Sequence, residues 1–161
     1  MKQREQEFGA LVRRHKSTIY SVCYMFAKER DDVDDLFQEV LVRIWQGLRS
    51  FRADSAESTW IYRVSLNTCI SYERKERRRR SMRVPIDPEF FVAEDTEHPQ
   101  TAELRRRIQK LPSLDRAILL MWLECLPYDE IGSVVGISAK AVSVRLVRIR
   151  EKLKQYGSND L

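Results

Sequence analysis

Apolar residues recur along most of this chain three and four positions apart, the spacing of a helix with one buried face. Phe8, Leu11, Val12, Ile19, Val22, Cys23 and Phe26 mark a first helix from Glu5 to about Lys28, with a bend expected near His15 to Ser17. Val33, Leu36, Phe37, Val40, Leu41, Ile44 and Trp45 mark a second, with Asp31 and Asp32 placed before it where carboxylates suit a helix N-terminus. A polar loop, Ser50 to Thr59, leads into a third helix whose Ile61, Val64 and Ile70 can pack inward. Along another face of that helix lie Trp60, Arg63, Asn67 and Arg74. Two readings fit this stripe equally: a surface for a nucleic acid, or a core tryptophan beside a solvated edge.

The second half begins near Thr101. AELRRRIQKL and SLDRAILLMWLECL read as two amphipathic helices separated by Pro112, with Ile118, Leu119, Met121, Trp122 and Cys125 as core candidates. Pro127 then opens a short helix with Ile131, Val134 and Val135 on its apolar side. Gly136-Ile137-Ser138 predicts a tight turn with Ser138 capping the last helix, and Gly132 is small where two helices would cross closely. Helix, glycine turn, capped basic helix is the helix-turn-helix pattern. On the last helix Val142, Leu146, Ile149 and Leu153 point to a core, while Lys140, Val144 and Val147 lie opposite, flanked by Ser143 and Arg148. Exposed valines on a basic helix suit a DNA major groove, where an apolar side chain can meet a thymine methyl.

Charge sharpens this picture because it is clustered. The net charge is only +5 over 161 residues. Between Glu73 and Arg83, however, seven Lys or Arg face two carboxylates, and between Ser138 and Lys154 six bases face Glu151 alone. Four consecutive arginines repel one another unless an anion neutralises them, and phosphate is the natural counter-charge. From Val84 to Glu103 there is no Lys or Arg but six carboxylates and three prolines, the signature of a linker between domains. The expected organisation is therefore all-α: two small helical domains, 1–82 and 103–161, joined by a flexible acidic linker at 83–102.

Other chemistry finds little support. No apolar run is long enough to cross a bilayer and the N-terminus lacks a signal-peptide core, so a cytoplasmic protein with no stable membrane association of its own is expected. Cys23, Cys69 and Cys125 read as buried reduced thiols. His15 has no histidine, cysteine or carboxylate at ligand spacing and reads as a solvated surface residue. With only two histidines and no glycine-rich phosphate loop, no catalytic constellation or cofactor site is found, although metal-dependent nuclease chemistry from Asp34, Asp35 and Glu39 is conceivable. Asp34, Asp35, Gln38, Glu39, Arg43 and Gln46 form the polar face of the second helix, either solvated or ready for a basic partner helix.

Taken together, DDVDDLFQEVLVRIW, SFRADSAESTWIYRVSLNTCI and LPYDEIGSVVGISAKAVSVRLVRIREKL resemble the extracytoplasmic-function group of bacterial sigma factors, over nearly the whole chain and in the right order. The resemblance implies a factor that joins RNA polymerase core, directs it to −10 and −35 promoter elements and assists melting, without covalent chemistry. It implies that Asp35, Gln38 and Glu39 grip the clamp helices of the largest polymerase subunit, with the flap of the second-largest subunit as a further contact. The Ser50–Thr59 loop, with Arg52, Asp54 and Ser55, would open the −10 element together with Trp60 and Asn67, while Arg63, Arg74, Arg77 and Arg78 hold the DNA backbone. Ser143, Val144, Val147 and Arg148 match positions facing the −35 groove, with Lys140 and Arg145 on phosphates. Members of the group are often held by an anti-sigma factor. The chain departs from the pattern at Ser71, at Lys140-Ala141, at Ser143, and at Gly132, where alanine is usual. A plain helix-turn-helix regulator acting without polymerase is the second reading, and it leaves the Trp60–Asn67 stripe and the acidic patch without a role.

Overall fold

A computed structural model describes residues 2–51, 56–82 and 99–158. Among the described residues there are seven helices and no strand: α1 Lys2–Phe26, α2 Arg30–Gly47, α3 Glu57–Met82, α4 Pro99–Gln109, α5 Ser113–Leu123, α6 Tyr128–Val135 and α7 Ala139–Ser158. The all-α expectation holds. Helix α1 runs as one continuous helix through His15 to Ser17. Helix α2 takes Asp31 and Asp32 into its first turn, and α3 begins three residues inside the expected loop, at Glu57. Pro99 opens α4, a position where its missing N–H costs no hydrogen bond.

Helices α1, α2 and α3 pack on one another, each giving its apolar stripe: Leu11, Ile19, Val22 and Phe26 from α1, Val33, Leu36, Val40 and Ile44 from α2, Ile61, Leu66 and Cys69 from α3. Helices α5, α6 and α7 form a second group around Ile118, Met121, Ile131, Val142, Leu146 and Ile149, with α4 against α7. The face assignment of α7 is as expected, since Val142, Leu146 and Ile149 are buried and Leu153 is partly so. The turn before it also forms as expected. Gly136 sits at φ 84, a left-handed conformation that glycine adopts without penalty, and the Ala141 N–H donates to Ser138 Oγ at 3.1 Å.

Cys23 and Cys69 are buried as expected, and Cys125 is not. Cys125 ends the turn after α5 at φ 65, outside the helix whose apolar pattern it continued in sequence. Hydrogen bonding between the Cys23 and Cys69 side chains, reinforced by burial, pushes the Cys69 thiol far up, so that thiol stays protonated.

His15 also departs from expectation. It is mostly covered, and its Nε2 lies 2.9 Å from Glu57 Oε1 at the start of α3; Arg14 donates to the same oxygen at 2.8 Å. Burial alone would raise the Glu57 pKa, but the hydrogen bonds and charges of Arg14 and His15 outweigh it and hold the carboxyl below its ordinary range. A depressed carboxylate contributes stability above its unfolded pKa and loses it as pH falls through the folded value. Glu57→Gln is therefore expected to flatten the loss of stability as pH falls below the ordinary carboxylate range. Denaturant midpoints measured across that window for both proteins check this, and parallel curves would refute it.

Candidate polymerase and DNA interfaces

The exposed face of α2 and one face of α3 form the two walls of a groove of about 510 Å³. Asp35, Glu39 and Arg43 line one side and Asn67, Ser71 and Lys75 the other. Residues that the resemblance assigned to two partners thus share one cleft. Gln38 is exposed beside it, and Glu39 makes only a long ion pair, 3.7 Å, with Arg43. At the floor Tyr72 donates weakly to Asp32 at 3.4 Å. Burial, with the Asp32 and Glu76 carboxylates nearby, pushes the Tyr72 phenol up to about 12, so it remains a donor.

The stripe on α3 divides. Trp60 is partly buried, its ring 4.9 Å from that of Phe51. A Cβ on Gly47 would approach the indole to 3.2 Å, so the glycine leaves room for the ring. Trp60 is therefore a packed residue at the mouth of the loop, while Arg63, Asn67, Arg74, Arg77 and Arg78 are exposed. Arg63 donates to the Ser133 carbonyl of α6, and Arg77 pairs with Glu73 at 2.5 Å. Arg52, Asp54 and Ser55 lie outside the described residues, as does the acidic stretch 83–98.

On α7, Lys140, Val144, Val147 and Arg148 are exposed and Ser143 is half-buried beside them. Val144 and Val147 are 46% and 57% exposed, large values for apolar side chains on a helix whose other face is closed. Arg145 is different from its neighbours. Its Nη1 lies 3.1 Å from Asp115 of α5, and Lys152 reaches the other oxygen of the same carboxylate at 3.4 Å. Arg150 stacks over Trp122 at 4.3 Å. These contacts fix the rotation of α7 on α5 and so decide which side chains face outward.

Sequence reasoning missed two residues that matter here, Asp115 and Arg116. Both are buried although charged. The available signal was a charged pair opening the most apolar run of the chain, SLDRAILLMWL.

A three-helix group with a polar cleft and a basic helix, beside a helix-turn-helix whose basic last helix exposes two valines, is the layout of a DNA-binding transcription protein. The sequence comparisons place it. Residues 11–79 match the family model for sigma-70 region 2, and residues 101–153 match that for sigma-70 region 4. The chain belongs to the sigma-70 family, in its extracytoplasmic-function group: a promoter-recognising sigma factor of RNA polymerase.

Among its relatives, the Escherichia coli (strain K12) ECF RNA polymerase sigma-E factor is 32% identical, with 92% of this chain and 85% of that protein covered. The Pseudomonas aeruginosa RNA polymerase sigma-H factor is 30% identical over the same shares. The Mycolicibacterium smegmatis ECF sigma factor SigE is 29% identical; 91% of this chain matches it, spanning 60% of that longer protein. Among solved structures, CnrH in complex with the cytosolic domain of CnrY superposes with a TM-score of 0.70 at 25% identity, covering 98% of this chain and 91% of that one. The Bartonella quintana sigma factor RpoE, solved with the anti-sigma factor NepR, gives 0.69 at 19% identity over the full length of both chains. Among the described residues no helix is long and apolar enough to cross a membrane, and no group of three His, Cys, Asp or Glu is placed to hold a metal ion.

Proposed function

We propose that this sigma factor divides its work between the two helical groups, with residues 1–82 binding core and the −10 element, 103–161 reading the −35 element, and 83–102 joining them. Asp35, Gln38 and Glu39 bind the clamp helices of the largest polymerase subunit. Asn67, with Trp60 packed on Phe51 nearby, takes a base of the opened −10 strand, and Arg63, Arg74, Arg77 and Arg78 hold its backbone. Ser143, Val144, Val147 and Arg148 read the −35 groove, and Lys140 positions the helix on a phosphate. Arg145, tied to Asp115, contributes to phosphate binding only through the donors that pair leaves free. The protein assists melting by binding the opened strand, makes and breaks no covalent bond, and works in the cytoplasm as a monomer within the holoenzyme. CnrH was solved with a protein partner, and we extend that to an anti-sigma factor for this chain.

The observation that carries this reading is the pair of exposed valines beside Arg148 on a helix fixed from behind by Asp115 and Trp122. A solvated helix has no need of apolar side chains there. Transcription from a randomised promoter library, with protein and core polymerase together and separately, tests it. Transcripts that need both and select two short motifs at fixed spacing are the expected result. Tight duplex binding by the protein alone, with no dependence on core, would establish the plain regulator instead. Arg148→Ala is expected to weaken −35 recognition by ~1–3 kcal/mol at its preferred base. A loss equal on every sequence would make Arg148 a phosphate contact.

A further inference from the structure

The two helical groups are joined by a packed seam. Helix α3 packs on α6, and α1 on α4 and α5. Arg105 of α4 donates to the Tyr24 and Ala27 carbonyls at the end of α1, at 3.2 and 2.7 Å, and Gln109 donates to Ala27 at 2.9 Å. Near the centre lies an ion pair, Glu73 of α3 with Arg116 of α5, at 2.5 Å. The two residues are 5% and 3% exposed. Arg116 also donates to the Gln109 and Leu111 carbonyls at 2.9 Å each and stacks over Phe26 at 4.9 Å. Tyr62 donates to Glu124 across the same seam, and Arg63 to Ser133.

This closed arrangement is incompatible with holding both promoter elements. Positions −10 and −35 are about 25 base pairs apart, ~85 Å along B-form DNA at about 3.4 Å per base pair. Helices α3 and α7, of 26 and 20 residues, are only about 39 and 30 Å long, and both pack on α6. Closure also affects the two DNA surfaces differently. Arg63 of α3 is tied to the α6 backbone, whereas Asn67, Arg74, Arg77 and Arg78 of α3 and Val144, Val147 and Arg148 of α7 remain exposed.

We propose that Glu73 and Arg116 form a latch that keeps the free protein closed and ties Arg63 of α3 away from −10 DNA while leaving the −35 face of α7 available. The part concerning −10 DNA rests on the assignment made under the proposed function. The chemistry suits a reversible catch. Removing one partner strands a buried charge, but parting the two groups returns both to water, which repays much of what the pair contributed. A purely apolar seam would expose its whole area on opening, with no such compensation.

The test is a distance measurement in the full-length protein without DNA, with spin labels at Lys16→Cys and Glu151→Cys. Cys125 is exposed and is first changed to Asn, which tolerates its left-handed backbone. The expected result is one short, narrow distance distribution that Glu73→Gln broadens toward long distances while helix content stays unchanged. If Glu73→Gln lowers helix content, Arg105→Ala, which removes contacts across the same seam from a half-buried position, replaces it as the opening variant. A long distance in the unaltered protein, or no change in the opening variant, overturns the latch. A second readout is binding of a single-stranded −10 oligonucleotide, selected with the holoenzyme. Opening frees the Arg63 contact, so the opening variant should gain up to about tenfold, the worth of one hydrogen bond to a charged group, with −35 duplex binding unchanged. If it opens and gains nothing, the latch stands and Arg63 is removed from the −10 contacts.

Discussion

Gly132→Ala is expected to destabilise the helix-turn-helix by ~1–3 kcal/mol, the usual cost of forcing an atom into a filled space. The sign is informative because helix propensity alone favours alanine by about 1 kcal/mol. Gly132 lies in α6 and is buried. A Cβ there would sit 2.4 Å from the Ile137 carbonyl oxygen, a backbone atom that no side-chain rotation can move aside. The Gly132 carbonyl in turn accepts the Gly136 and Ile137 N–H groups at 2.8 and 3.1 Å, so the turn is wound tightly onto this residue. Alanine can enter only if α6 and the turn separate, and α7 is carried on that turn. Denaturant unfolding of the variant and the unaltered protein, followed by circular dichroism, would measure the loss. A gain in stability would show that the crossing has slack and that glycine here is incidental.

Replacing Gln38 and Glu39 together by alanine should cost ~2–4 kcal/mol of core-polymerase affinity, the range of residues central to an interface, or roughly 30- to 1000-fold in dissociation constant. The protein itself should be unaffected. Both side chains point away from the buried stripe of Val33, Leu36, Val40 and Ile44. Glu39 forfeits only its long, exposed pair with Arg43, and such pairs contribute little. Alanine is also a better helix former than either residue. Core binding and thermal unfolding measured on the same preparation separate the two effects. Unchanged affinity would remove this face from the polymerase interface, and the groove it shares with Asn67 would then belong to DNA alone.

The departures from the usual family pattern take on physical meaning in this light. Gly132 stands where alanine is usual because its turn comes closer than a methyl group allows. Ser71 faces the groove opposite Glu39, and a carboxylate there would add to the negative charge of that cleft. Lys140-Ala141, near the start of α7, has no account in the contacts seen.

Much of this protein was legible in its sequence because the signals are local. A buried stripe on an amphipathic helix repeats every three or four residues whatever the helix packs against, so the faces of α2 and α7 could be read from Val33 to Ile44 and from Val142 to Leu153. The turn before α7 was equally readable, since Gly136 and Ser138 satisfy needs of the backbone within a few residues. Exposure of Val144 and Val147 followed from the same periodicity. The tertiary structure decided which polar groups meet across long separations. Glu73 and Arg116 are 43 positions apart, Arg145 and Asp115 30, and His15 and Glu57 42. Nothing within a single helix names the partner of any of them. A periodic pattern records which side of a helix avoids water but not which neighbour covers it. Ion pairing depends on that neighbour, because a charge is kept in a core only by a partner brought there by the fold.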